Sequence, residues 1–146
     1  MSLIENNRAG FDYEILEKFE AGIELHGYEV KSLRNKQGSL KGARVIARGG
    51  EAYLVGATIP AWQLANAPKG FDAERPRRLL LSKKEIVHIA SAESEKGLTI
   101  IPLSVYTKQR HLKLSLAIVR GKKTHDKRHS IREREEKRRI DRTLKA

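Results

Sequence analysis

The chain has 146 residues, with 30 Lys and Arg against 18 Asp and Glu for a formal net charge of +12, and it contains no cysteine. The absence of cysteine excludes disulfides, thiolate nucleophiles and zinc-thiolate sites, and the five histidines lack the spacing of metal ligands. We therefore expect no metal and no cofactor, and the excess of positive charge predicts a phosphate-bearing partner.

The length predicts one domain with an appendage, namely a body over residues 1–119 and a basic tail over 120–146. No apolar run approaches the 18 or more residues that span a bilayer, and the first ten residues lack the pattern of a signal peptide. A basic tail can also rest on an anionic membrane, but these charges would lie all round a helix with no Trp or Phe facing them. We expect a cytoplasmic protein without a membrane partner.

A half-buried strand is predicted from Tyr13 to Leu25, because apolar residues alternate there with acidic and basic ones. Glu20 lies on its polar face, where a surface salt bridge is the simplest role. After Gly27 the pattern changes to a short helix over 29–34, with Lys31 and Arg34 pointing outward. This helix is expected to close one end of a sheet.

The next segment predicts a β-hairpin, because strand-like runs at 43–48 and 51–59 are joined by Gly49 and Gly50, which tolerate the positive φ of tight turns. Residues 60–76 contain three of the four prolines and predict a long surface loop. Three arginines lie at its base, where guanidinium groups can reach adjacent phosphates: Arg75, Arg77 and Arg78.

The remainder of the body predicts a helix followed by two strands. Ser82 and Glu85 form a capping box that starts a helix reaching Gly97, and residues 98–106 and 112–118 have strand character. Three successive leucines at 79–81 cannot all face inward on a strand, so one is expected to meet a partner. This order of elements indicates a mostly β fold, a small antiparallel OB-like β-barrel with flanking helices.

The tail carries twelve Lys and Arg against five Asp and Glu, a net charge of +7. It has too few apolar residues to offset the entropy of ordering, so a polyanionic partner must supply the energy. A capping box at Ser130 and Glu133, followed by Glu133–Lys137 and Glu135–Arg139 pairs, predicts a helix that forms on binding.

The sequence is compatible with three classes of function. Catalysis finds little support, since no triad or phosphate-cradling loop is present, although His125 beside Asp126 is a conceivable RNA-cleaving site. A structural ribosomal protein or general single-strand RNA binder of similar form is the second possibility. An RNA-binding adaptor is the third, and a resemblance favours it.

Five motifs carry that resemblance in the order in which they occur along the chain: FEAGI at 19–23, EVKSLR at 29–34, RRLLL at 77–81, PLSVY at 102–106 and GKKTHDKR at 121–128. Together they resemble the SmpB (small protein B) family, the bacterial partner of transfer-messenger RNA, over residues 7 to about 140. Segment 60–72 follows no pattern of that family.

The resemblance implies a non-enzymatic OB-like protein that binds the tRNA-like domain of transfer-messenger RNA, as a monomer in a 1:1 complex, and delivers it to stalled ribosomes. It also implies a tail that occupies the empty mRNA channel and decoding centre of the small ribosomal subunit. The residues expected to face the RNA are Tyr13, Glu20, Lys31, Arg34, Arg75, Arg77, Arg78 and Leu80. Those expected to serve the ribosomal step are Lys113, Gly121, Lys122, Lys123, His125, Asp126, Lys127 and Arg128.

Overall fold

A computed structural model of the chain describes residues 2–7, 9–63 and 67–121. The predicted tail helix at Ser130 lies outside these residues. So do six of the residues expected to serve the ribosomal step: Lys122, Lys123, His125, Asp126, Lys127 and Arg128.

Strands dominate the described part of the chain. The strands are β1 (Ser2–Glu5), β2 (Tyr13–Ile23), β3 (Arg44–Arg48), β4 (Glu51–Val55), β5 (Arg77–Leu80), β6 (Leu98–Lys108) and β7 (His111–Gly121). The helices are α1 (Ala9–Asp12), α2 (Gly27–Arg34) and α3 (Lys83–Glu93). No helix among the described residues is both long and apolar enough to cross a membrane.

Within the described residues, the strands form one antiparallel sheet in the order β1-β6-β7-β2-β5-β4-β3. The sheet curls strongly, since edge strand β3 contacts β6 although the two are not paired. No hydrogen-bonded pairing closes the described sheet into a complete barrel, because β3 and β6 touch without pairing. This architecture confirms the predicted OB-like fold. The main core fills the concave side, with Leu33 of α2 and Ile89 of α3 packed against the sheet.

Local sequence signals account for several of these elements. Gly49 and Gly50 join β3 to β4 with φ of 60° and 77°, which confirms the predicted hairpin turn. Helix α3 begins with the predicted capping box, in which Glu85 N donates to Ser82 Oγ at 3.2 Å and Ser82 N donates to Glu85 Oε1 at 3.0 Å. Loop 60–76 contains no helix or strand among its described residues.

Three features of the fold were not predicted. No sequence pattern indicates β1 or α1, because each has only four residues, too few for a periodic pattern. Strand β2 has a register shift between Ile15 and Glu17, so residues 14–18 are all exposed and the strict alternation fails there. Strand β7 continues to Gly121, which pairs with Tyr13, two residues beyond the expected end of the body.

One expectation about the arginine cluster is wrong, because Arg77 is fully buried and cannot offer its guanidinium to a phosphate. Strand pairing explains the difference, since alternate residues of β5 face opposite sides: Arg77 and Leu79 point inward, whereas Arg78 and Leu80 point outward. Arg77 Nη2 lies 2.6 Å from Glu29 Oε2, and Arg77 Nε donates to the same oxygen at 3.1 Å.

The Arg77 guanidinium also organises the backbone around it. It donates to the carbonyl oxygens of Ala57 at 3.0 Å, Ile59 at 3.3 Å and Ala73 at 2.9 Å. These carbonyls flank both ends of loop 60–76, so a single side chain joins the loop to the strand that follows it. The buried charge is thereby paired and hydrogen-bonded, as burial requires.

Glu29 is the shared acceptor of this cluster and is itself fully buried in α2. Burial alone would raise the pKa of its carboxyl, but hydrogen bonds from Arg75, the His26 backbone and Arg77 outweigh burial and lower the pKa below its ordinary value. Arg75, whose side chain is about a quarter exposed, binds Glu29 through both Nε and Nη2. Two of the three arginines are therefore committed to the fold.

We expect Arg77→Met to destabilise the fold by about 3–5 kcal/mol, because Glu29 would lose its buried partner and three carbonyls would lose a donor. Arg78→Met is the matched control, since its outward side chain forms surface ion pairs worth less than about 1 kcal/mol each. Urea unfolding of both variants measures the difference. Equal losses in the two variants would contradict the structural role of Arg77.

Candidate nucleic-acid interface

The register of four strands places one residue from each in a row across the outer face, which we define as the side of β6, β7, β2 and β5 that faces away from the main core. Tyr106 pairs with Lys113, Lys113 with Gly22, and Gly22 with Leu80. Each is next in sequence to a residue of the main core: Val105, Leu114, Ala21 and Leu79. Because strand residues alternate between faces, this row lies on the opposite side.

Gly22 sets the position of Leu80 within this row. A Cβ atom at Gly22 would lie 3.2 Å from both Cβ and Cδ1 of Leu80, so the missing side chain leaves room for the leucine to lie across β2. Leu80 remains 50% exposed, the largest exposed fraction among the large apolar side chains of the described strands. This confirms that one of the three leucines faces outward, available to a partner.

Glu20 lies beside the row and is held by two side chains from β6. Tyr106 Oη donates to Glu20 Oε2, and Lys108 Nζ lies 3.1 Å from Glu20 Oε1. Strand β7 lies between β2 and β6, and its residue opposite Glu20 is Ser115. The small side chain of Ser115 leaves room for Tyr106 to reach Glu20 across β7. Glu20 does form the surface salt bridge that the sequence suggested, yet both of its oxygens stay at the exposed face.

The electrostatics of this cluster follow from the contacts. The hydrogen bond from Tyr106, helped by Lys108 and by the nearby charge of Lys113, lowers the pKa of Glu20. Partial burial and the same hydrogen bond raise the pKa of Tyr106 to about 12. At neutral pH the cluster therefore contains an ionised carboxylate and a neutral phenol whose one proton is donated to Glu20, so the pair offers acceptor oxygens to a polar ligand.

Arg78 continues the outer face onto β5, but acidic residues already bind it. Its Nε donates to Glu51 Oε2 at 2.9 Å and its Nη2 to Glu51 Oε1 at 3.2 Å, while Glu24 lies 3.5 Å away. These contacts raise the pKa of Arg78, with the hydrogen bond to Glu51 as the largest cause. A phosphate at Arg78 would have to compete with two carboxylates.

The basic residues of α2 and of the β6–β7 turn border the same face. Lys31 and Arg34 are exposed on α2, as predicted, and Arg34 Nη2 donates to the carbonyl oxygen of Arg110 at 3.1 Å. Arg34 and Lys113 also line one shallow pocket together with Leu80. The structure thus places Arg34, Leu80 and Lys113 around one pocket, with Glu20 beside the row that contains Leu80 and Lys113.

Tyr13 does not join this group. It lies at the other end of β2, nine residues from Gly22, which corresponds to roughly 30 Å along a strand. There it packs against a satellite cluster that includes Ala9 and Val119. Gly121, the one described residue of the GKKTHDKR motif, ends β7 opposite Tyr13, so both mark the place from which the tail departs.

Lys113 lies near the start of β7, between Tyr106 and Gly22 on the outer face, whereas the sequence groups it with the tail for the ribosomal step. That role stays a prediction. Reasoning from sequence also overlooked Tyr106 and Lys108, although period-two alternation from the PLSVY motif would have placed Tyr106 beside Glu20 once the strand pairing was known. No group of three or more His, Cys, Asp or Glu placed to hold a metal occurs among the described residues.

Comparison with known proteins gives a consistent result. The family model of the SmpB protein matches residues 3–146. The chain belongs to the SmpB family. Among relatives of this SmpB-family chain, the SsrA-binding protein of Mycoplasma mycoides subsp. mycoides SC is 42% identical over 93% of this chain and 92% of its own length. That of Synechococcus sp. (strain JA-3-3Ab) is 44% identical over 99% of this chain and 94% of its own.

A solved structure extends the SmpB similarity to three dimensions. A chain from work described as "tmRNA-SmpB: a journey to the center of the bacterial ribosome" matches with a TM-score of 0.69 and 41% sequence identity. The match covers 83% of this chain and 85% of that one. The curled sheet described above is therefore shared with a solved structure that is 41% identical in sequence.

We expect Tyr106→Phe to raise the pKa of Glu20, because it removes the hydrogen bond that contributes most to lowering it. Glu20 would then protonate at higher pH than in the parent protein. Carboxyl-carbon NMR over a pH titration measures the shift directly. The matched control is Tyr53→Phe, because Tyr53 lies on β4, which is not paired with the strand of Glu20. An unchanged titration of Glu20 in Tyr106→Phe would refute the role of the hydrogen bond.

Proposed function

We propose that this protein is an adaptor that binds the tRNA-like domain of transfer-messenger RNA and delivers it to stalled ribosomes for trans-translation. The observation that carries the proposal is the row Tyr106, Lys113, Gly22 and Leu80, with Glu20 beside it, on one exposed face of a chain of the SmpB family. The relatives are named for binding SsrA, and the solved structure pairs its protein with tmRNA and the bacterial ribosome.

The outer face has the chemistry that folded RNA requires. Lys113, Lys31 and Arg34 supply charges for phosphates, which position the RNA without reading its sequence. Glu20 accepts hydrogen bonds from 2′-hydroxyl or base donors, and Leu80 provides an apolar contact for an exposed base or sugar. Arg78 lies on this surface and Arg75 lies in the loop before β5, and each is already paired with a carboxylate. We assign Arg77 no direct RNA contact.

The body and the tail divide the work in this proposal. The body, ending where β7 ends, selects the RNA, and the tail with its net charge of +7 enters the empty mRNA channel and reaches the decoding centre of the small subunit. Residues 122–128 begin that tail, and His125 would stack on an exposed base there. The protein acts in the cytoplasm as a monomer bound to one RNA, and its part is binding without catalysis.

Truncation after Gly121 tests the division of labour. We expect the shortened protein to bind transfer-messenger RNA with nearly unchanged affinity, because β7 and the outer face are retained, but to lose peptide tagging on stalled ribosomes. Filter binding and a tagging assay in a reconstituted translation system measure the two properties. Equal loss of both would refute the division.

A salt titration tests whether Lys113 contacts a phosphate. For Lys113→Met, we expect the negative slope of log K against log salt to become shallower by about 0.7 to 0.9 units, the amount that one lost phosphate contact removes. Lys41→Met is the matched control, since Lys41 is an exposed lysine that lines a separate pocket with Tyr13, at the other end of β2. Identical slopes for the two variants would exclude Lys113 from the interface.

Competition distinguishes the adaptor from a general single-strand RNA binder. An adaptor that recognises RNA shape should retain transfer-messenger RNA in the presence of excess unstructured RNA, whereas a general binder would exchange freely. Labelled tRNA-like domain, challenged with an unstructured RNA of equal length, provides the measurement.

A further inference from the structure

A pocket of about 260 Å³ lies where the outer face meets α2 and the β6–β7 turn. We propose that it holds the base of a single unstacked nucleotide of the bound RNA, with that nucleotide's phosphate on the surrounding basic residues. This inference rests on the proposed function and specifies how the outer face recognises its RNA.

The floor of the pocket is apolar. It is formed by side chains from β2, α2, β5 and β7: Ile23, Leu25, Val30, Leu80 and Leu112. Most of these pack against the main core, so the floor is held by the fold. Leu80 is the exception, since it is half exposed and lies across Gly22, where it forms one wall. A flat apolar floor bordered by polar groups suits a base plane.

The rim of the pocket is basic throughout. Arg34, Arg110 and Lys113 contribute charge, His111 contributes an imidazole, and no Asp or Glu is among the residues that line the pocket. All four rim residues donate hydrogen bonds when charged, which favours the acceptors of a phosphate and of a base edge. This charge pattern selects an anionic aromatic ligand over a hydrophobic peptide side chain, which would gain nothing from the rim.

The geometry of the turn supports the same conclusion. Gln109 and Arg110 adopt φ of 50° and 69°, a left-handed conformation that is uncommon for residues other than glycine. Arg34 holds this turn through its hydrogen bond to the Arg110 carbonyl oxygen at 3.1 Å. Arg34 therefore lies against the turn that carries Arg110, and both residues line the pocket.

The volume of the pocket fits one base better than a larger ligand. The volume lies below the roughly 300–1,000 Å³ of pockets that enclose drug-sized ligands, so the pocket suits one base with its ribose left outside. A base within an intact helix cannot enter because its faces are stacked on its neighbours. The pocket therefore selects RNA that presents an unpaired, extruded nucleotide at the position that meets Leu80.

Methyl NMR of the full chain, titrated with adenosine 5′-monophosphate, adenosine or inorganic phosphate, tests the pocket. We expect the nucleotide to shift the methyl signals of Leu80, Val30 and Ile23 while those of Val87, exposed on α3, stay unchanged. Adenosine should shift the same signals at higher concentration, and phosphate alone should not. Pocket methyl signals that do not respond to the nucleotide, or that respond equally to phosphate, would overturn the proposal.

Substitutions separate the rim from general charge effects. The double variant Arg34→Gln and Arg110→Gln should weaken nucleotide binding at least about fivefold, because it removes two charged donors. Lys84→Gln is the matched control and should leave nucleotide binding unchanged. Equal weakening by the control and the double variant would show that the pocket contributes only net charge, and would overturn the proposal.

A parallel titration with the tRNA-like domain distinguishes failure of this inference from failure of the proposed function. If that RNA binds tightly but leaves the pocket methyl signals unmoved, the pocket assignment is wrong and the adaptor function stands. If that RNA does not bind at all, the adaptor function is wrong, and the nucleotide titration still decides whether the pocket takes a base.

Discussion

The buried ion pair between Glu29 and Arg77 determines which residues of β5 reach the surface. Strand side chains alternate, so a shift of β5 by one residue would bring Arg77 out and place Leu80 in the core. Burial of Arg77 against Glu29 and three backbone carbonyls makes that shifted register costly, because the carboxylate would lose its partner. The position of Leu80 on the outer face therefore depends on Arg77, a charged residue that is itself buried in the core.

The same pair connects otherwise separate parts of the chain. Glu29 belongs to α2, Arg77 to β5, and the carbonyls that Arg77 binds flank loop 60–76. Helix α2 in turn contributes Arg34 to the rim of the base pocket and Val30 to its floor. The buried Glu29–Arg77 pair thus holds α2 and β5 in place, and both elements border the RNA-facing surface. The residues of that surface therefore have a rigid support while they remain exposed themselves.

Charge on the outer face is more selective than the formal net charge of +12 suggests. Arg75 and Arg78 are bound to Glu29 and Glu51, and Lys108 is paired with Glu20. The basic residues that border the pocket have no acidic residue among its lining. Since phosphate contacts position an RNA and local contacts distinguish it, the basic rim of this pocket favours binding in one orientation.

Sequence alone determined the elements with strong local signals and the family to which the chain belongs. The Gly49–Gly50 hairpin, the capped helix α3 and the strands β6 and β7 follow from short-range patterns, because turn geometry and alternation are set by adjacent residues. The tail's composition likewise predicted a segment that needs a polyanion, and that remains a prediction. Five motifs in order sufficed to indicate the SmpB family, which the comparisons confirmed.

Only the tertiary structure decided how those elements combine into a surface. Arg77 and Arg78 are adjacent and chemically identical, yet pairing of β5 with β2 and β4 sends one into the core and the other to solvent. Lys113 and Glu20 are far apart in sequence, and the β2–β7 register brings them to the same face. The reason is physical: strand partners and register depend on contacts between distant segments, which local patterns do not contain.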